Sequence, residues 1–177
     1  LNIYNARCAS ILQQGLYAAD ILYIKDEGIS SGIADYDFTE PATPYGYRWD
    51  IGSKNILERI TVEDSRLTLP HGMNYRILVL TPMKQCSPEL LKQVKRLLQQ
   101  GATIVLSGEK PEGYMGMDAN KDMEVKALAD ELWSKASSAL YDGTVYYTKD
   151  LQKVLNFKVS GEGGKVQGST KETLNRV

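Results

Sequence analysis

The stretch from Tyr75 to Gly108, YRILVLTPMKQCSPELLKQVKRLLQQGATIVLSG, constrains the fold more than any other part of the chain. Ile77 to Leu80 form a short continuous apolar run, and Ala102 to Leu106 form a second, rich in β-branched residues. Such runs suit strands buried on both faces. Between them lies a helix with both ends marked. Ser87 suits the N-cap, Pro88 the first helical position and Glu89 the positive end of the macrodipole, and Gly101 supplies the stop. Leu90, Leu91, Val94, Leu97 and Leu98 make one apolar stripe, which leaves Lys92, Gln93, Lys95, Arg96 and Gln99 facing water. Strand, helix and strand in this order predict a crossover between parallel strands.

The flanking sequence extends the same pattern. Asn2 to Gln14 places Tyr4, Cys8, Ile11 and Leu12 on one helical face, so a buried thiol is expected at Cys8. Ala18 to Ile24 reads as the first central strand. Lys25 to Arg48 has no period and is punctuated by Gly28, Gly32, Pro41, Pro44 and Gly46, so it reads as a long loop leaving that strand's carboxyl end. A short helix over Ser53 to Arg59, capped by Ser53, should follow it. Ile60, Val62, Leu67 and Leu69, on either side of Glu63 to Arg66, predict a small hairpin. Pro70 to Met73 is a turn, and Glu109 to Asn120 a second loop. Asp122 is the expected cap of a helix burying Val125, Leu128, Ala129, Leu132 and Trp133. A strand over Gly143 to Tyr147 and a helix over Asp150 to Phe157 complete the unit.

The sum is an α/β fold of the flavodoxin-like or doubly wound kind: a mostly parallel sheet with helices on both faces in three layers, plus a small hairpin. One domain over 1–157 is expected, with 158–177 as a glycine-rich flexible tail or linker. Ligands of such sheets gather at the strands' carboxyl ends, here the loops after Ile24, Leu80 and Leu106.

Composition removes several classes of function. A formal net charge of −1, with charges of both signs interspersed, leaves no basic footprint for nucleic acid. No apolar run approaches the ~20 residues of a membrane helix. Cys8 and Cys86 stand far apart without zinc-ligand spacing, so no metal site is expected. Neither GxGxxG nor GxxxxGK[ST] follows a strand, and no cofactor is expected.

Three candidate chemistries remain. Cys86, just before a helix N-terminus, has the place of an activated thiol, but TPMKQCSPEL lacks the small-residue elbow that would expose a nucleophile. Asp35 and Asp37 flank Tyr36 and offer paired carboxylates; loop aspartates more often bind backbone amides, so ligand or interface contact is the expectation for Asp35, Tyr36 and Asp37. The aromatic group Tyr45, Tyr47 and Trp49 suits stacking on sugar faces, or simply covering the core.

Several stretches carry a resemblance: YNARCASILQQGLYAADILYI, then Asp35-Tyr36-Asp37-Phe38, then RLTLPHGMNYRILVLTP with SPELLKQVKRLLQQGATIV, and DMEVKALADELW. In this order, across about Tyr4 to Leu155, the chain resembles the segment that follows the catalytic barrel in bacterial α-L-rhamnosidases of glycoside hydrolase family 106. The resemblance implies a glutamine-amidotransferase-like α/β module without catalytic residues of its own, supporting a barrel outside the chain. A barrel of ~250 residues has no room here. It further implies contact of Asp35, Tyr36, Asp37, Trp49 and His71 with the barrel or its substrate cleft, carbohydrate as a partner, and an exported bacterial parent. Opening on Leu1 rather than methionine fits an excised domain or processed product. The rival expectations are a free-standing enzyme using Cys86, and a carbohydrate-binding or oligomerising module.

Overall fold

The computed structural model describes residues 2–25, 27, 40–134, 138–140 and 143–161. In chain order these give α1 (Asn2–Leu12), β1 (Ile21–Ile24), β2 (Trp49–Gly52), α2 (Lys54–Leu57), β3 (Thr61–Glu63), β4 (Arg66–Thr68), β5 (Asn74–Tyr75) and β6 (Ile77–Leu80). Then follow β7 (Gln85–Cys86), α3 (Pro88–Gln99), β8 (Thr103–Leu106), β9 (Gly113–Tyr114), α4 (Ala119–Ser134), β10 (Ser138–Leu140), β11 (Gly143–Tyr147) and α5 (Leu151–Gly161).

The crossover unit forms as its sequence dictates. Strands β6 and β8 pair in parallel, and all eight of their residues are buried. Ser87 caps α3 by accepting a hydrogen bond from the Leu90 amide at 3.3 Å. Gly101 leaves the helix at a φ of +95°, a left-handed conformation that glycine takes without a Cβ penalty. The five apolar residues of the stripe are buried.

The central sheet runs β10-β11-β8-β6-β1-β2, with only β10 antiparallel. Its parallel strands, counted along the chain, therefore stand second, first, third, fourth, fifth, and the order reverses between β1 and β6. Alternation divides the core in two. Leu22, Ile24, Leu78, Leu80, Ile104 and Leu106 face α3, α4 and the hairpin sheet β3-β4-β5. Ile21, Tyr23, Ile77, Val79 and Val105 face Leu151, Val154 and Leu155 of α5, with Tyr47 packed beside them. The molecule is thus α/β with a mostly parallel sheet covered on both faces and a small antiparallel sheet beside it.

Several expectations need correction. Lys25 to Arg48 is a crossover rather than only a loop, because Trp49–Gly52 pairs in parallel with β1 and the chain must return to the sheet's amino end. Its described part lies along the sheet: Tyr23 donates to the Pro41 carbonyl at 2.7 Å, and Tyr47 joins the core on that side. Ser53 starts α2, but its side chain makes no cap bond. Helix α4 begins before Asp122, capped instead by Asp118, which accepts from Asn120 N at 2.9 Å. Helix α1 forms, yet buries none of its residues, and Cys8 is only half-buried. Arg96 does not simply face water: its guanidinium donates to the Leu57 and Ile60 carbonyls at 2.6 and 3.2 Å, closing the end of α2.

Candidate functional site

The carboxyl ends of the central strands open into a cleft of about 610 Å³. Pro82, Met83 and Lys84 follow β6, the segment Ser107 to Lys110 with Glu112 follows β8, Tyr147 and Lys149 come from β11, and Glu40 comes from the β1–β2 crossover. Parallel strands that end together leave their connecting loops to converge at one edge, which is why the cleft lies here.

Its floor is held from three sides. Ser107 is buried and donates to the Leu80 carbonyl at 2.8 Å, with the Glu40 carbonyl at 3.1 Å as a second acceptor within reach. The Trp133 indole N–H donates to the Gly108 carbonyl at 3.0 Å, tying the floor to α4. A Cβ on Gly108 would stand 2.6 Å from Pro82 Cα, so this residue must be glycine for the loops after β6 and β8 to meet. The loop after β8 is secured by Asp122. Its carboxylate accepts from Lys126 Nζ at 2.6 Å and from the Tyr114 amide at 3.0 Å, and both hold it below the ordinary carboxylate range. Strand β9 thereby stays beside β7.

Lys84, Lys110, Lys149, Glu40, Glu109 and Glu112 are the charged residues that line the cleft. Lys149 Nζ lies 3.5 Å from Glu40 Oε1, and Lys110 pairs with Asp130 on α4.

The amino terminus of α3 lies at the same edge, where a fold of this kind usually offers its anion site. A carboxylate of the chain itself fills it. Glu27 accepts from the Ser87 amide at 2.6 Å and the Ser87 hydroxyl at 2.9 Å, and its other neighbour is Lys54 Nζ at 2.9 Å. Burial works to raise the Glu27 carboxyl, but Lys54 and the two Ser87 donors outweigh it and hold the group below its usual value.

Trp49 and His71 lie elsewhere. Trp49 is opposite Ile21, the first residue of β1, so it marks the amino end of the sheet; it is about one-third exposed (37%) and meets Tyr23 edge-on at 6.3 Å. His71 sits exposed in the turn between β4 and β5, whose Gly72 has a φ of +97°. Asp35, Tyr36 and Asp37 lie outside the described residues. Cys86 is completely buried in β7, out of reach of a substrate, which removes the observation that favoured a thiol enzyme. Among the described residues no three His, Cys, Asp or Glu side chains converge as a metal site. The sequence marks the loops after β6 and β8 as ligand loops but carries no motif at Ser107, Tyr147 or Lys149. The signal for them is position alone: each stands at or just past the end of a buried strand.

Comparison with known proteins adds three findings. The family model for α-L-rhamnosidases, glycoside hydrolase family 106, matches residues 1–172. A Formosa agariphila protein provisionally named a β-glucuronidase is 32% identical over 132 residues, which are 75% of this chain and 11% of that protein. The solved rhamnosidase structure from Novosphingobium sp. PP1Y has the same fold over 88% of this chain and 15% of its own, with a TM-score of 0.69 at 22% identity. The chain thus spans a small part of the length of these relatives.

Proposed function

The chain belongs to glycoside hydrolase family 106, and on that premise we propose that it is a non-catalytic supporting domain of a large glycosidase, packing against a catalytic barrel elsewhere in the same polypeptide. The observation that carries the reading is α1. Ile3, Tyr4, Ile11 and Leu12 are 71%, 69%, 60% and 75% exposed, and Leu16 and Tyr17 continue the apolar surface toward the sheet. A helix of eleven residues gains little stability in water by itself, so the exposed apolar side chains it carries call for a cover. The coverage of 11% and 15% indicates where a cover would come from: the relatives have most of their chain outside the matched region.

The kinship of the fold to glutamine-amidotransferase-like and flavodoxin-like modules belongs to the same proposal. Its support is the strand order, reversing between β1 and β6; the missing nucleophile elbow and the buried Cys86 mark a departure from a true amidotransferase. Contact of Asp35, Tyr36, Asp37, Trp49 and His71 with the barrel is the corresponding proposal for those residues.

Hydrolysis of an aryl α-L-rhamnoside and an aryl β-glucuronide, compared between this chain and a longer polypeptide that contains it, tests the reading. Activity in the longer protein alone is the expected result. Turnover by the 177-residue chain would overturn it and return attention to Asp35 and Asp37 as catalysts.

A further inference from the structure

Helix α1 carries one charged side chain, and it stands on the apolar side. Ile3, Tyr4, Arg7, Cys8, Ile11 and Leu12 recur three and four positions apart and so share one stripe of the helix. Within that stripe Arg7 lies one turn from Ile3, Tyr4 and Ile11, all three of them exposed. The rest of the helix, Asn2, Asn5, Ala6, Ala9 and Ser10, is uncharged. A charge that served solubility alone belongs on that other side. We propose that Arg7 is the polar anchor of a docking face on α1, and that the face is covered by an apolar patch elsewhere in the same polypeptide, with a carboxylate opposite the guanidinium. The inference rests on the supporting-domain reading and adds the chemistry of the partner.

Charge and length select the occupant. Arg7 is exposed, makes no ion pair among the described residues, and is the only charged side chain before Asp20. The docking face therefore holds no acid of its own, and the partner must bring one. A guanidinium covered without an acceptor costs far more than a paired one, and its planar fork suits a carboxylate through two parallel hydrogen bonds. Ringed by apolar contacts, an arginine is also among the residues that dominate interface energies. A second copy of the chain is a poor occupant, because a twofold contact places the same patch on both sides. It would bring Arg7 and its equivalent into one apolar contact with no acid between them. A lipid surface fits less well again: helices that lie on membranes carry basic residues along the polar side, and here that side has none. The remainder of the polypeptide fits, since the matched regions are 11% and 15% of the relatives' lengths.

Hydrogen exchange at the α1 amides of a longer polypeptide that contains this chain decides the matter, read for the unsubstituted protein, Arg7→Leu and Arg7→Glu. The helix should be protected in the unsubstituted protein. Arg7→Leu keeps the apolar contact but leaves the partner's carboxylate buried alone, and should lower that protection by about tenfold or more. Arg7→Glu sets two carboxylates together and should lower it further. In the 177-residue chain, where the helix is exposed, both variants should unfold in urea as the unsubstituted chain does, so a folding defect is not the cause. A protected helix that Arg7→Leu leaves unchanged, or that Arg7→Glu weakens no more than Arg7→Leu, would overturn the carboxylate partner while the supporting-domain reading stands. An unprotected helix in the longer unsubstituted protein would overturn that reading and the proposal with it. Protection that rises with protein concentration would assign the cover to a second copy and also overturn the proposal.

Discussion

At the residue scale, the pair Asp20 and Arg76 shows what a periodicity reading leaves out. Both sit one position before a buried strand, and both are 5% exposed. Arg76 Nε lies 3.3 Å from Asp20 Oδ1, and Asp20 Oδ2 also accepts from the Arg48 amide at 3.2 Å. The pair thus joins the amino ends of β1, β2 and β6. A charge buried without its partner costs far more than the pair contributes. Arg76→Met should therefore lower the unfolding free energy by about 3–5 kcal/mol. The double variant Asp20→Asn, Arg76→Met keeps an oxygen for the Arg48 amide but no buried charge, and should recover a large part of that loss. Urea denaturation of the three proteins checks this: equal losses in the single and double variants would mean that packing, not charge, sets the cost. Nothing in the sequence marks either residue, since one Asp and one Arg far apart in the chain become a pair only through strand register. Arg96 and Asp122 were misread for the same reason. Helical position shows which side of its own helix a residue occupies, but not that Arg96 meets the end of α2 or that Asp122 meets the Tyr114 amide.

At the element scale, what the sequence revealed tracks how much of each element's stability is local. Helix α3 has its cap, its stripe and its stop within one stretch of chain, and β6 and β8 are continuous apolar runs; all three were legible. Strand β2 was not, because Trp49–Gly52 is an edge strand only partly buried and carries no apolar run. The two-residue strands β7 and β9 exist only as each other's partners. The start of α3 adds a remote contribution that no local pattern shows: Glu27, far earlier in the chain, bonds the Ser87 amide and hydroxyl. The sign of its pH effect follows from the lowered carboxyl. A group more acidic in the folded chain stabilises it fully above its ordinary value of 4.5, and that contribution fades as pH falls through the lowered folded value. Glu27→Gln should cost about 1.5–3 kcal/mol at pH 7, the range for hydrogen bonds to a charged group. The difference between the two proteins should shrink as pH falls below 4.5 and through the lowered folded value. An undiminished difference at low pH would show that shape, and not the carboxylate charge, holds the element in place.

At the scale of the whole molecule, the cover over α1 decides how stability is distributed. The sheet and its two cores close without this helix, since every residue of α1 is at least partly exposed. What ties the following segment down is slight: Tyr17 donates to the Trp49 carbonyl at 3.1 Å, and Leu16 lies against Gly72. An element with exposed backbone bonds and few buried apolar contacts opens at almost no free-energy cost, while core strands open only with global unfolding. Hydrogen exchange of the 177-residue chain should accordingly show α1 amides almost unprotected and the amides of β1, β6 and β8 protected to the global limit. For the same reason, Ile11→Glu with Leu12→Glu should change the stability of this chain by no more than about 0.5 kcal/mol. In the longer polypeptide the same two carboxylates would have to be buried in an apolar contact, and protection of α1 should appear there and vanish in the double variant. Strong protection in the 177-residue chain by itself, rising with protein concentration, would identify a second copy of the chain as the cover and would set aside the supporting role argued from this face.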